Sequence, residues 1–330
     1  MILIDADVLG RNRTGEETYV LNLLRQLPFV APDLSFAAVT RHPELVPEGV
    51  DAIALPARFQ ETRMAIALPR LLRRLRPELS HFQHALPLGL RGPSIVTIHD
   101  LHFEHDPAVM GRLDRMTFKF VVPRAVRKAD HVLAVSERTK RDIVELYGVS
   151  PEKVTVTPHG VDPAFARGDG SHDGYLLFVG AVQARKDPLA ALAAADAAGV
   201  PLVVVGPEKE PELARELRAR GADVRGWVEK PELAELYRRA GALILPSRYE
   251  GFGVPALEAM ASGTPVVLSD DEALREVAGD AGIYGELADG VRRALAERER
   301  FARAGLGRAA LFTWEESARR TADVYRQVLA

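Results

Sequence analysis

Two glutamates, Glu250 and Glu258, stand eight residues apart in the stretch Glu250-Gly-Phe-Gly-Val-Pro-Ala-Leu-Glu258. Gly251 and Gly253 permit close approach of backbone to a ligand, and Pro255 suits the first turn of a helix. Glu250 therefore falls in a loop and Glu258 one turn into the helix that follows. Carboxylates so placed reach opposite ends of one elongated ligand, and the free amides at the helix start, from Phe252, Gly253 and Val254, offer a natural anion site. An elongated, anionic, hydroxyl-bearing molecule such as a sugar nucleotide fits both features.

The elements that must hold these residues are visible on either side. Leu243, Ile244 and Leu245 form a short apolar run of the kind buried in a parallel sheet, ended by Pro246 and Ser247. Ala256 to Ala261 continue the helix, Gly263 and Pro265 stop it, and Pro265 to Ser269 read as a second buried strand. A helix packed between such strands has little reason to carry a carboxylate beside Leu257 and Met260 unless that carboxylate has a partner.

A second chemical signal is His99, which ends the apolar strand Ser94 to Ile98 and precedes Asp100. The carboxyl edge of an open α/β sheet is where ligands bind. Five of the nine histidines fall between residues 81 and 105: His81, His84, His99, His102 and His105. Their spacing fits no standard zinc pattern, so no metal site is expected. At the N-terminus, strand Ile2 to Ile4 leads through the polar loop Gly10 to Gly15 into a helix with Val20, Leu23, Leu24 and Leu27 on its apolar face, a βα unit. Glu16 and Glu17 open that helix, where acids are favoured by its dipole.

With 330 residues the chain is too long for one ordinary core and suits two domains of about 150 residues each. A net charge of −3 argues against nucleic-acid binding. There is no cysteine, hence no disulfide, thiolate metal site or cysteine nucleophile, in keeping with a reducing cytoplasm. No apolar run approaches bilayer length and no leader-like segment opens the chain, so a soluble, unexported protein is expected. Further strands are expected at Phe36 to Thr40, Ile53 to Leu55, Ala129 to Ser136, Lys153 to Thr157, Tyr175 to Val179, Leu202 to Val205 and Val224 to Val228. Ser136 caps a helix from Glu137 to Tyr147 that stops at Gly148. The glycine-rich polar run Ala166 to Gly174 is the clearest linker.

The stretch from Glu250 to Glu258 resembles the E-x7-E motif of family 4 glycosyltransferases, retaining enzymes of the GT-B fold. Blocks similar to that family recur in the expected order at Arg13 to Leu24, Ile95 to Leu101, Ala129 to Asp142, Lys153 to Asp162, Val179 to Asp187 and Phe312 to Glu315. The resemblance implies an α/β architecture of two Rossmann-like doubly wound domains with an interdomain cleft. The expected division is an acceptor-binding domain at 1–166, a linker at 167–173, a sugar-nucleotide-binding domain at 174–311, and a final helix at 312–330 that returns to the first domain. Helices are expected to fill the chain after the central motif.

The resemblance also implies roles. Arg185 and Lys186 match a basic pair that clamps the donor diphosphate, because a nucleoside diphosphate leaving without a bound metal must have its charge met by cations and helix amides. Glu258 binds ribose hydroxyls, Glu250 binds donor-sugar hydroxyls near the anomeric carbon, and His99 bonds a hydroxyl of the transferred sugar. Gly15, Gly180, Gly251, Phe252, Gly253 and Val254 line the donor through their backbone, Val228 edges the nucleobase, and Arg11 and Arg13 add positive charge. Glu16 and Glu17 are less usual at the diphosphate loop and point toward acceptor hydroxyls or solvent. No cofactor is implied beyond the sugar-nucleotide co-substrate. The motifs together most resemble mannosyltransferases using GDP-mannose, with a UDP-sugar enzyme as the alternative and a non-catalytic sugar-nucleotide sensor or scaffold as the rival from another class. A hydrolysing epimerase would need an acid/base set around the sugar C2 that cannot be assembled from this sequence.

Residues 56–76 hold six arginines against one glutamate, and Arg112 to Lys128 is a second basic stretch. At 100° per residue, Arg63, Arg70, Arg73 and Arg74 form one helical stripe flanked by Leu68, Leu71, Leu72 and Leu75. A solvated face is one reading of this stripe. The other is an anionic membrane surface touched on the inner face of the plasma membrane to reach a lipid-linked acceptor; otherwise the acceptor is a soluble glycan.

Overall fold

The computed structural model describes residues 1–11, 14–57, 59–105 and 111–330; Arg13, one of the expected loop cations, lies outside them. The chain forms two compact units, one of Met1–Gly160 with Thr313–Ala330 and one of Val161–Phe312. The division thus falls at Gly160, ahead of the expected linker at 167–173. That polar stretch packs on the second unit: Arg167 pairs with Glu299 at 3.0 Å, Gly168 lies against the Arg238 side chain, and the Asp173 amide donates to the Arg239 carbonyl at 2.8 Å. Composition marked an irregular coil, and its charged side chains found partners. Gly160 is required where it stands, since a Cβ there would lie 2.1 Å from the Trp314 backbone nitrogen of the returning segment.

The first unit is a seven-stranded parallel sheet: β1 (Ile2–Asp5), β2 (Phe36–Thr40), β3 (Asp51–Ala54), β4 (Leu79–Gln83), β5 (Ser94–Ile98), β6 (His131–Ala134) and β7 (Val154–Val156), in spatial order β3-β2-β1-β4-β5-β6-β7. Both faces of β1 are covered, as its unbroken apolar run requires. Ile2 and Ile4 join a core with Tyr19, Leu23 and Leu27 of helix Thr14–Val30 and Ala318, Ala322 and Tyr325 of helix Trp314–Leu329. Leu3, on the opposite face, joins Val39, Phe82, Val96, Leu68 and Leu72. Strand β4 escapes the apolar-run criterion because Ser80 and His81 interrupt it. His81 is nevertheless fully buried, with its ring nitrogens 2.7 Å from the Tyr325 and Thr97 hydroxyls, and burial pushes its pKa down to about 3.

The arginine stripe is corrected by the structure. The helical stretch that carries the stripe contains a π turn at Arg63–Ala67 between Gln60–Thr62 and Leu68–Leu75. A π turn inserts extra backbone per turn and so shifts the angular register on which the stripe was drawn. Arg63 is turned inward and has no solvent exposure, donating through both terminal nitrogens to Asp5, at 3.0 and 2.5 Å, with its Nε 3.2 Å from Asp7. Leu68, Leu71 and Leu72 are buried in the core, so they supply no apolar surface; Arg70, Arg73 and Arg74 remain exposed.

The second unit is a six-stranded parallel sheet of β8 (Leu176–Val179), β9 (Leu202–Val205), β10 (Asp223–Gly226), β11 (Ala242–Leu245), β12 (Val266–Leu268) and β13 (Gly282–Ile283), ordered β10-β9-β8-β11-β12-β13. The region after the central motif therefore holds a two-residue edge strand among its helices. Each unit has the doubly wound plan, with strand order reversing once, between β1 and β4 in the first and between β8 and β11 in the second.

Candidate active site

At the reversal point of the second unit, two loops leave adjacent strands. From β8 the chain passes Gly180 into a single 3-10 turn, Ala184–Lys186, and Asp187 then caps helix Pro188–Ala198 with a left-handed backbone at φ +51°. From β11 it runs through Arg248 and Tyr249 to Glu250 and on to Gly253, which opens helix Val254–Ala261 at φ +105°. A side chain at Gly253 would be strained in that conformation and its Cβ would sit 2.7 Å from Leu274. The Arg248 amide donates to the Arg185 carbonyl at 3.0 Å and joins the two loops.

Glu250 is only 6% exposed. Lys186 Nζ donates to its Oε1 at 2.5 Å, Arg185 Nη1 lies 4.0 Å from its Oε2, and the same Arg185 nitrogen donates to the Tyr249 carbonyl. The Glu250 amide donates to Asp271 at 3.3 Å, and Asp271 also caps helix Glu272–Ala278 through the amides of Ala273 and Leu274. Burial pushes the Glu250 carboxyl up, but the charges of Lys186 and Arg185 outweigh it and hold the pKa below the ordinary range. Two cations facing one ionised carboxylate leave a net charge of about +1 at the edge of the sheet, favourable to an anion. The structure thus brings Arg185, Lys186 and Glu250 into one constellation beside the helix start of Phe252, Gly253 and Val254.

Glu258 belongs to a second group one turn along. The Tyr237 hydroxyl donates to its Oε2 at 2.9 Å, the partner that a carboxylate on this helix requires. Burial raises Glu258 to about 8, with Lys230 pulling the value down and Asp162 pushing it up; Lys230 and Asp162 are themselves paired at 2.6 Å. At neutral pH the carboxyl is mostly protonated and both donates and accepts hydrogen bonds, which suits vicinal hydroxyls. Tyr237 and Asp162 carried no motif signal of their own in this role, whereas Asp271 stood at a recognisable cap position before Glu272. Val228 is half-buried just past β10, beside exposed Trp227.

At the reversal point of the first unit, His99 follows β5 with Nε2 2.9 Å from Gln83 Oε1 and its ring edge-on to Tyr19 at 4.9 Å. The His84 ring lies 5.2 Å away and the His159 ring stacks at 5.9 Å. Burial, then the neighbouring His84, lower the His99 pKa to about 4, so the ring is neutral and presents one donor and one acceptor. Gly15 is exposed, and a Cβ on it would meet no protein atom within 4 Å. Arg11 is directed at Asp7, 3.1 Å away, so the structure spends that expected loop cation on a carboxylate of its own unit.

The Glycosyltransferase Family 4 profile matches residues 13–165, and the Glycosyl transferases group 1 profile matches residues 165–304. The chain belongs to this glycosyltransferase family. Among its relatives, glycogen synthase of Mycobacterium tuberculosis (strain ATCC 25618 / H37Rv) is 34% identical over 260 residues, covering 71% of this chain and 63% of that protein. O-antigen chain mannosyltransferase B of Escherichia coli is 27% identical over 267 residues, covering 71% and 70%. The chain spans less than two thirds of the glycogen synthase length. Sucrose-phosphate synthase from Thermosynechococcus elongatus superposes on this chain with a TM-score of 0.79 at 19% identity, covering 99% of this chain and 98% of the other. Anabaena HepE, solved in complex with UDP-glucose, gives 0.74 at 15% identity, covering 99% of both chains. These likenesses establish the GT-B fold, with its two Rossmann-like units.

Proposed function

We propose that this family member is a retaining glycosyltransferase that moves a hexose, first choice mannose from GDP-mannose, to a hydroxyl of a glycan or lipid-linked acceptor. The observation that carries the reading is the constellation of buried Arg185 and Glu250 with half-buried Lys186 at the β8/β11 reversal point, a cationic edge suited to a diphosphate with a carboxylate directed at the sugar. In the reaction the acceptor oxygen bonds the anomeric carbon as the bond to the diphosphate breaks, and the hydroxyl proton passes to a phosphate oxygen of the leaving group. Catalysis then rests on positioning and on leaving-group stabilisation by the two cations and the helix amides. Glu258 holds the ribose, Val228 lies along the base, Gly15 and Gly180 admit the donor, and neutral His99 bonds a hydroxyl of the transferred sugar. No metal is needed where two cations meet the leaving charge, so turnover survives EDTA; abolition by EDTA with rescue by manganese would overturn that point.

The mannose choice is supported by the mannosyltransferases among the relatives, and a UDP-sugar is the alternative. Thermal shift with GDP, UDP and ADP tests it, because a ligand at a hundred times its Kd adds about 2.7 kcal/mol of stability. Stabilisation by UDP and none by GDP would end the mannose proposal. An Arg185→Ala/Lys186→Ala double variant should lose affinity for the diphosphate far more than for the bare nucleoside; equal losses would remove the basic pair from the phosphate.

A further inference from the structure

Glu16 and Glu17, adjacent in sequence at the opening of helix Thr14–Val30, are set to different tasks. Glu17 reaches back, and its Oε1 accepts the Gly10 amide at 2.7 Å, closing the loop that precedes the helix. Glu16 instead faces His84, with Oε1 3.2 Å from His84 Nε2, and both side chains are largely withdrawn from solvent. His84 follows β4 directly and takes a left-handed backbone at φ +56°, a conformation that few residues other than glycine adopt. Its amide is pinned to the Thr97 carbonyl at 2.9 Å, so the sheet itself fixes where the imidazole stands. Strained backbone that aims a side chain at the edge of a sheet is a mark of functional sites.

The place is the reversal point of the first unit, between β1 and β4, where an open parallel sheet binds its ligand. Two neighbours also point to a ligand there: Gly15 leaves open space where a side chain would stand, and the His84 ring lies 5.2 Å from that of His99. A carboxylate at this edge repels a diphosphate and instead accepts hydrogen bonds from neutral hydroxyls. Resting on the glycosyltransferase reading, we propose that Glu16 binds hydroxyls of the acceptor's reacting sugar, and that His84 is a positioning residue that orients the Glu16 carboxylate. The end of the acceptor that enters is then an uncharged, hydroxyl-rich sugar, and a phosphate on that sugar is disfavoured.

The test compares the parent with Glu16→Gln, Glu16→Asp and His84→Gln, using the sugar nucleotide selected by thermal shift and p-nitrophenyl α-D-hexopyranosides as probe acceptors. Nucleoside diphosphate affinity is measured alongside as a check on folding and on the donor site. Expected are a KM for the hexoside raised at least tenfold in Glu16→Gln and His84→Gln, partial recovery in Glu16→Asp, and diphosphate affinity within twofold of the parent. An unchanged hexoside KM in Glu16→Gln would overturn the proposal, as would a loss of diphosphate affinity equal to the rise in KM. Donor hydrolysis by the parent with no saturable transfer to any hexoside would overturn the hydroxyl assignment while leaving the glycosyltransferase reading standing. A parent that neither binds nor hydrolyses any sugar nucleotide would overturn that reading first, and the role of the pair with it.

Discussion

Lys186 and Arg185 share the single carboxylate of Glu250, and removing it changes two properties in opposite senses. In Glu250→Gln the local charge rises from about +1 to about +2, so nucleoside diphosphate binds at least as well as in the parent. The group proposed to hold the sugar near its anomeric carbon is lost, and turnover should fall by about 10²-fold, the cost of deleting one preorganised polar group at a reacting centre. Steady-state kinetics with a parallel diphosphate titration reads both, and a drop in diphosphate affinity would place Glu250 on the phosphate side. Glu258 behaves differently because its folded pKa, about 8, lies above that of a free glutamate. Protonation stabilises the folded form, so this contribution is complete at pH values below the ordinary glutamate range. It declines as pH rises through the window up to about 8, where the unfolded chain ionises and the folded one does not, and it is flat above. Glu258→Gln removes the titration, so its melting temperature relative to the parent should climb between pH 5 and pH 8.5. A constant difference across that range would mean that Glu258 is ionised in the folded protein. Glu258→Ala should weaken nucleotide binding by about 0.5–1.5 kcal/mol for each ribose hydrogen bond lost with the neutral carboxyl.

Elements with an unbroken apolar run, such as Leu202–Val205 and Ala242–Leu245, were readable because burial on both faces of a parallel sheet demands that composition. Strand β4 was not, since Ser80 and His81 interrupt its apolar run and His81 is buried by virtue of hydrogen-bond partners on other segments, Tyr325 and Thr97, that periodicity does not register. The E-x7-E loop and the basic pair were readable for a local reason: loop, glycine and helix start are adjacent in sequence. Tyr237 beside Glu258 and His84 beside Glu16 depend on tertiary approach and left no local trace. The arginine helix shows the limit of spacing arguments, for one π turn moved Arg63 from the expected surface stripe to the buried Asp5 and Asp7. Deleting that guanidinium leaves the buried Asp5 carboxylate without its cation, while Asp7 keeps Arg11 and Arg41, so Arg63→Ala should cost about 3–5 kcal/mol in urea unfolding. Arg70→Ala on the exposed side should change stability by less than about 0.5 kcal/mol. Equal effects of the two would mean that Arg63 is not held by the aspartates.

At the scale of the whole molecule the open question is what surface the acceptor comes from. No described helix is long and apolar enough to cross a membrane, so any contact with lipid would be made by the surface of the folded units. With Arg63 withdrawn, the membrane proposal rests on Arg70, Arg73 and Arg74, all exposed, and on helix Arg112–Lys128 of the same unit. On that helix Met116 and Phe120 are 70% and 71% exposed, an unusual state for large apolar side chains. Met116, Phe120 and Arg124 recur at four-residue intervals and so share a face, with exposed Arg127 and Lys128 just beyond. Apolar side chains that dip to the acyl boundary and cations that meet anionic headgroups are the two components of interfacial binding. Each basic residue near the surface adds about 1 kcal/mol, so Arg70, Arg73 and Arg74 together are worth roughly 3 kcal/mol at low salt. The expected result in liposome co-sedimentation is recovery with vesicles containing phosphatidylglycerol, little recovery with pure phosphatidylcholine, and release as salt is raised. Arg70→Glu/Arg73→Glu/Arg74→Glu should abolish the salt-sensitive part, and Met116→Glu/Phe120→Glu should lower recovery at every salt concentration. Equal recovery with neutral and anionic vesicles would leave the arginines as a solvated face, and the acceptor would then be a soluble glycan.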